Sequence, residues 1–303
     1  MNLRITQTML NSQVLRNLQQ VFRRITKSEN QLASGQKIQY PSDDAVLATR
    51  ASKIASQKRE IEQYKRNVET IDNIVSSYDT TIREISSIYQ RIRELMVRGA
   101  NDTLSDVDRE AIAKELESIK EHLIAIANTR VGTNYIFGGP ESDRPPVSVA
   151  ANGKVTIELS PEKADRRLKI QVAGYNLEYN VTVRDLFITR RGESVFDAID
   201  RMITDLRNGK PLKLSNTDLG AIDDLVHNTN INIAFIGSVT RMLEMINSRM
   251  EDLDSFITEY LSQETDADIT EVVAQLSMDQ AVLQSALKSS AKVITPTLVD
   301  FLS

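Results

Sequence analysis

The sequence contains no cysteine, no tryptophan and only two histidines among its 303 residues. The lack of cysteine excludes a disulfide framework, a thiolate-ligated zinc or iron–sulfur site and a thiol nucleophile. Two histidines, His122 and His227, are too few for a histidine-rich metal centre. No stretch approaches the roughly 20 consecutive apolar residues that span a bilayer, and the first ten residues show no secretory signal peptide. Composition alone is typical of a cytosolic soluble protein.

The local motifs give no convincing active site. Asp43 and Asp44 follow Pro41 and Ser42, and carboxylates there are expected to cap a helix and complement its dipole. The Gly-Gly pair at 138–139 is not a phosphate loop, because no Gly-Lys-Ser/Thr follows it. We therefore predict a protein that is not an enzyme and has no catalytic residues, cofactor or metal.

Glycine and proline are distributed unevenly along the chain. Twelve of the 18 lie between Gly132 and Pro211, and none occurs from Ser42 to Arg98 or from Ser238 to Thr295. Because these residues interrupt regular structure, two long segments free of breakers flank an irregular middle.

Both long segments carry apolar residues at alternating spacings of four and three, which is typical of a coiled-coil seam. A helix from Ser42 to Arg98 would be about 85 Å long, so the expected shape is a rod. A shorter helix is expected after Ser105, with Ser105 as its N-cap and Asp108 three residues later. The first long seam comprises Leu47, Ala51, Ile54, Ile61, Val68, Ile71, Val75, Tyr78, Ile82, Ile85, Tyr89, Ile92 and Met96. The second comprises Ile222, Leu225, Thr229, Asn232, Ile236, Val239, Leu243, Ile246, Met250, Leu253, Ile257 and Tyr260.

The middle of the chain changes to strand-like alternation. Apolar and polar residues alternate at 147–149, 155–159, 168–172 and 177–183, which predicts strands with one buried face. Asn152-Gly153 predicts a two-residue hairpin turn, and Gly174 separates the third run from the fourth. This insert of roughly 50 residues is too small to be a robust domain, so it should lean on its neighbours.

The two chain ends carry apolar stripes and opposite charges. Residues 1–66 have 12 Lys and Arg against 5 Asp and Glu, whereas residues 237–303 have 4 against 11. Opposite charge blocks favour pairing of the two ends in space. Isolated helices of this length are marginal in water, so the ends are expected to be poorly ordered until another surface covers their stripes. The alternative is that these stripes form an ordinary intramolecular core.

Several motifs then resemble those of the bacterial flagellin superfamily. They are Leu32 to Gly35 followed by Tyr40 to Asp44, Gln90 to Val97, Asn101 to Arg109, Asp266 to Glu271 and Leu298 to Leu302. The order is that of the family, although Ala45 stands where proline is usual. Gly132 to Gly139 (GTNYIFGG) is more similar to the hook-associated members at the hook–filament junction than to filament flagellins.

The resemblance implies a structural role in the bacterial flagellum, at the junction between hook and filament. It also implies unfolded export through the flagellar type III channel without a cleaved signal peptide. The implied partners are neighbouring copies of the chain, the first hook-associated junction protein, flagellin and a flagellar export chaperone. The alternatives are a filament flagellin and a cytoplasmic coiled-coil signalling rod. No role with nucleic acid or inside a membrane is expected.

The predicted organisation has five parts, in a mainly α fold built as an elongated coiled-coil rod with a small antiparallel β insert. The parts are an N-terminal assembly helix (1–41), the N-terminal half of the rod (42–135), the β domain (136–190), the C-terminal half of the rod (191–265) and a C-terminal assembly helix (266–303). The residues expected to drive assembly are Val14, Leu18, Val21, Ile25, Leu276, Leu283, Leu287 and Leu298. By resemblance, Arg91, Glu94 and Leu95 are candidates for a subunit contact.

Overall fold

The computed structural model describes residues 7–101, 104–151, 153–158, 166–172, 174–209 and 218–294. Its helices are α1 (Gln7–Ser34), α2 (Ala45–Gly99), α3 (Asp106–Ala127), α4 (Val183–Phe187), α5 (Val195–Arg207), α6 (Leu219–Thr265) and α7 (Ile269–Ile294). Its strands are β1 (Arg130–Val131), β2 (Asn134–Tyr135), β3 (Val147–Val149), β4 (Val155–Ile157), β5 (Lys169–Val172) and β6 (Tyr175–Glu178). The predicted class, mainly α with a small antiparallel β insert, is confirmed.

The chain divides into two compact units. The first combines residues up to Glu60 with residues from Asp252 onward, and the second comprises Ile61–Glu251. Within the described ranges, none of the helices is long and apolar enough to cross a membrane.

The core of the second unit is built on the two predicted seams. Here α2 and α6 run antiparallel, because Arg93 Nε lies 2.8 Å from Asp223 Oδ1 while Lys65 lies across a shared groove from Leu243. The seam positions are buried on both helices, from Val68 to Met96 and from Ile222 to Met250. Two polar seam residues, Thr229 and Asn232, are also buried, and they bond to carbonyls one turn earlier.

Aromatic side chains join the middle of the chain to this core. Phe137 packs edge-to-face against Tyr78 and against Phe187, with ring centroids 5.7 Å apart in each pair. The hydroxyl of Tyr89 donates to Leu186 O at 2.7 Å. Burial raises the pKa of both Tyr78 and Tyr89, so the two hydroxyls remain protonated donors at neutral pH.

In the described residues the strands form three separate antiparallel pairs, with β1–β2 just before the predicted β insert and β3–β4 and β5–β6 inside it. As expected, the insert leans on its neighbours, since Val147, Val155 and Val172 belong to the helical core. The predicted two-residue turn before β4 is wrong. Val149 pairs with Val155, and Ala150 N donates to Lys154 O, which leaves a three-residue loop with Gly153 at φ +80°. Asn152 lies outside the described residues.

The last predicted strand is shorter than expected. β6 ends at Glu178, and Thr182 then caps the short helix α4 by accepting from Asp185 N. The same threonine and aspartate form a capping box, in which the Asp185 carboxylate accepts from Thr182 N. This local hydrogen bonding turns the predicted end of a strand into a helix start.

The cap predicted at Ser105 is confirmed. Ser105 Oγ accepts from Asp108 N at 3.2 Å, and α3 then buries Ile112, Leu116, Leu123 and Ile126. This face packs against α5, and Lys120 on its edge forms an ion pair of 2.6 Å with Asp200.

The seam of α6 departs from the predicted frame after Met250. Of the three expected positions that follow, Ile257 is 7% exposed as predicted, but Leu253 and Tyr260 are 38% and 41% exposed, whereas Asp254 and Leu261 are half-buried. The inward positions therefore advance by four residues twice in succession, from Ile246 to Met250 and from Met250 to Asp254, which is a stutter in the heptad pattern. The shift turns Leu253, Phe256 and Tyr260 to the surface of the helix.

Candidate assembly surface

The two terminal helices pack against each other in the first unit, so the pairing favoured by the charges is present. Along α1 the inward stripe has heptad spacing, with Val21 6% and Ile25 8% exposed. Val14 and Leu18 extend this stripe and are half-buried. On α7 the half-buried positions include Leu276 and Leu283, which also match the predicted stripe. Leu298 lies outside the described residues.

The pairing of α1 with α7 covers the apolar stripes of the two terminal helices within a single chain. This is the intramolecular core that the sequence left open as an alternative. Leu287 is 49% exposed and lies off the paired face. Its side chain belongs to an outer apolar set on the two helices. That set includes Leu15, Phe22, Val273, Met278, Val282 and Leu287. The assembly role of the terminal helices stays a prediction, and it now concerns this outer set as well.

An ion pair lies inside the seam between α1 and α7. Asp279 occupies a seam position and its side chain is 2% exposed, while Arg24 donates to Asp279 Oδ1 through Nε at 3.0 Å and Nη2 at 2.7 Å. Gln275 donates to the other carboxylate oxygen at 3.1 Å. The Arg24 and Gln275 hydrogen bonds hold the pKa of Asp279 below its ordinary value. A buried charged side chain of this kind fixes the register of two helices. If one helix shifted along the other, the charge would lose its partner and remain buried and unpaired.

Sequence reasoning missed this pair because only apolar residues were counted in the stripes of the two terminal helices. Ser28 on α1 was missed for the same reason and is 5% exposed. The signal was nonetheless in the spacing, since Asp279 lies three residues after Leu276 and four before Leu283.

A short backbone pairing closes the base of the α1–α7 pair. Gln36 forms an antiparallel bridge with Asp266, Lys37 N donates to Thr265 O at 2.7 Å, and Ala267 N donates to Gly35 O at 2.8 Å. Gly35 adopts φ +71°, which ends α1 and lets the chain turn into this bridge. The end of α1 and the start of α7 are therefore held together at one point.

The predicted helix-start turn, Pro41 to Asp44, precedes α2 at the surface. Asp44 Oδ1 accepts from Val46 N at 3.0 Å and Leu47 N at 2.9 Å, so the capping role predicted for Asp44 is confirmed. Asp43 acts differently, since its Oδ2 accepts from Tyr40 N at 2.9 Å and from Gln39 N at 3.1 Å. These hydrogen bonds lower the pKa of Asp43 and fix the turn before the helix.

The candidate contact on α2 is only partly at the surface. Arg91 Nε lies 2.8 Å from Glu115 Oε1, and its Nη1 lies 3.1 Å from Glu94 Oε2. Arg91 and Glu94 side chains are 49% and 67% exposed, whereas Leu95 is 2% exposed and packs in the core. Leu95 cannot reach a neighbour from that position, so the candidate contact reduces to Arg91 and Glu94.

The sequence of this chain is similar to those of known flagellar proteins. Residues 5–141 match the bacterial flagellin N-terminal helical region. Flagellar hook-associated protein 3 of Escherichia coli is 24% identical over 297 residues, which cover 89% of this chain and 93% of that relative. A flagellin of Halalkalibacterium halodurans is 24% identical over 228 residues, covering 75% and 78%.

Solved structures share the fold. Hook-associated protein 3 of Legionella pneumophila superposes with a TM-score of 0.63 at 15% identity, over 70% of this chain and 98% of that one. The resemblance to the flagellin superfamily predicted from the sequence motifs is confirmed.

Proposed function

Because residues 5–141 match the bacterial flagellin N-terminal helical region, we propose that the protein is a structural component of the flagellum at the hook–filament junction. It connects the layer of hook-associated protein to the flagellin filament. The observation that carries this proposal is that similarity to the hook-associated relative continues past residue 141 through nearly the whole of both chains.

Assembly proceeds through the two terminal regions, residues 1–41 and 266–303. Their paired helices expose apolar side chains such as Leu15 and Leu287, at 59% and 49%, on faces that no other described part of the chain covers. Covering such faces in an assembly removes apolar area from water and supplies association free energy. The remaining parts, 42–135, 136–190 and 191–265, form the body of each subunit.

The proposed partners are further copies of the chain, the first hook-associated protein, flagellin and an export chaperone. The chain leaves the cell through the flagellar export channel. Arg91 and Glu94 contribute to a contact between neighbouring subunits, and Glu115 fixes the position of Arg91 through their ion pair of 2.8 Å. Reversing the charge of Arg91 should reduce motility, and unchanged motility would contradict this contact.

A strain lacking the gene tests the proposed function. We expect loss of motility, hooks that remain on the cell and flagellin released into the medium. Complementation with the intact chain should restore filaments.

The second candidate function is filament flagellin, because a flagellin also matches three quarters of this chain. In that case the deletion strain would carry hooks capped by both junction proteins and lacking only a filament. The medium would then contain no shed flagellin. The signalling-rod alternative predicts normal hooks and filaments in the deletion strain.

A further inference from the structure

The first unit carries a cavity with an aromatic and basic lining. Its volume is about 460 Å³, and it lies between α1 and the loop that leads to α2. Phe22 and Tyr40 line it and are 52% and 60% exposed. Arg23, Lys27 and Lys37 also line it, against the single carboxylate of Asp43. We call this site the basic cavity.

The same unit carries a complementary ridge on α6. Phe256 and Tyr260 are stacked with ring centroids 6.3 Å apart, and they are 63% and 41% exposed. Acidic side chains lie on the same helical face, at i−4 and i+3 from Phe256 and at i+4 from Tyr260. These three are Asp252, Glu259 and Glu264. We call this feature the acidic ridge, and none of its residues lines the basic cavity.

Exposed stacked aromatic rings are uncommon at a surface that has no partner, and they are enriched where proteins bind proteins. The ridge is on the surface because of the stutter after Met250, which brings Asp254 inward and leaves Tyr260 outside. The cavity and the ridge have opposite charge and similar aromatic character, which is the complementarity that specifies an interface.

We propose that the acidic ridge of one copy docks in the basic cavity of the next copy. The contact is heterologous, because each copy offers a ridge to one neighbour and a cavity to the other, and such contacts build rings or helices. The proposal rests on the proposed function, since a layer between a hook and a filament requires a repeated contact. In this contact the Phe256 ring enters the cavity beside Phe22 and Tyr40, and Glu259 faces Lys27.

Cysteine cross-linking tests the docking directly, because the chain has no cysteine of its own. The double variant Tyr40→Cys/Phe256→Cys replaces the native chain in motile cells, and isolated flagella are treated with a mild oxidant. We expect a ladder of covalent dimers, trimers and larger species that collapses on reduction. The matched control, Tyr40→Cys/Val107→Cys, places the second thiol in the other unit at a site that is 79% exposed, which is more accessible than Phe256 at 63%, and should give no ladder.

Three results would overturn the docking. One is an incorporated double variant that stays monomeric. Another is dimer formation by Phe256→Cys alone, which would indicate a ridge-to-ridge contact. The third is an oxidised monomer of altered mobility, which would show that the cavity takes the ridge of its own chain. Recovery of the variant protein in isolated flagella tests the proposed function independently of cross-linking. A missing cross-link in recovered protein therefore contradicts the docking and leaves the proposed function standing.

If the cysteine variant is not incorporated into flagella, exchanging the charges of Lys27 and Glu259 tests the docking instead. Lys27→Glu or Glu259→Lys alone should lower the amount recovered in flagella by at least about tenfold, because like charges then face each other. The two changes together should restore recovery, because every contact again pairs opposite charges. A double variant no better recovered than either single variant would overturn the proposal.

Discussion

Replacing Ile25 by alanine tests whether the terminal helices of the free chain form one cooperative pair. Ile25 is 8% exposed in the seam with α7. Truncation of a buried isoleucine to alanine costs about 2–5 kcal/mol, and a seam of only two helices belongs at the lower end, near 2 kcal/mol. Because helices that stabilise each other open together, this loss should apply to both α1 and α7.

Hydrogen exchange measured by mass spectrometry gives the readout. A loss of about 2 kcal/mol corresponds to roughly a 30-fold larger open population, so peptides from both helices should exchange that much faster. The control is Leu15→Ala on the same helix, where the side chain is 59% exposed and the expected change is within about twofold. Faster exchange confined to α1, with α7 unchanged, would refute the pairing.

Three further predictions concern other contacts. Tyr89→Phe leaves Leu186 O without its buried donor and should lower the free energy of unfolding by about 1–3 kcal/mol in urea titration, whereas Tyr260→Phe should change little. Asp43 has a lowered pKa, so its stabilisation of the turn is fully present above the ordinary value of 3.8 and is lost as the pH falls through the lowered pKa. The Gln39 and Tyr40 amides should therefore lose protection in acid in the native chain, and Asp43→Asn should remove that pH dependence. Arg24→Asp and Asp279→Arg should each weaken protection of α1 and α7, and the double exchange should recover part of it; no recovery would contradict the register role.

Much of the helical framework could be predicted because hydrophobic spacing reports which face of a helix is buried. The frame from Val68 to Met96 is buried at every predicted position. The same method failed at two of the three positions after Met250, since it followed the apolar Leu253 although the helix turns Asp254 inward. Spacing cannot anticipate a stutter in which a polar residue takes the inner position, because that choice depends on what the helix packs against.

The candidate assembly surface could be predicted only where its contacts are local in the sequence. Asp44 could be recognised as a cap because its hydrogen bonds are local to the sequence. The Arg24–Asp279 pair joins residues 255 positions apart, and nothing local identifies either as the other's partner. Leu95 was placed at the surface by resemblance alone, whereas its burial follows from the helix face it shares with Ile92 and Met96.

The proposed function places this protein at the boundary between hook and filament. Immunogold electron microscopy of intact flagella, with antibody raised against the full chain, locates it there or elsewhere. We expect gold particles confined to a narrow band where the hook meets the filament. Labelling along the whole filament, or labelling only inside the cell, would contradict it.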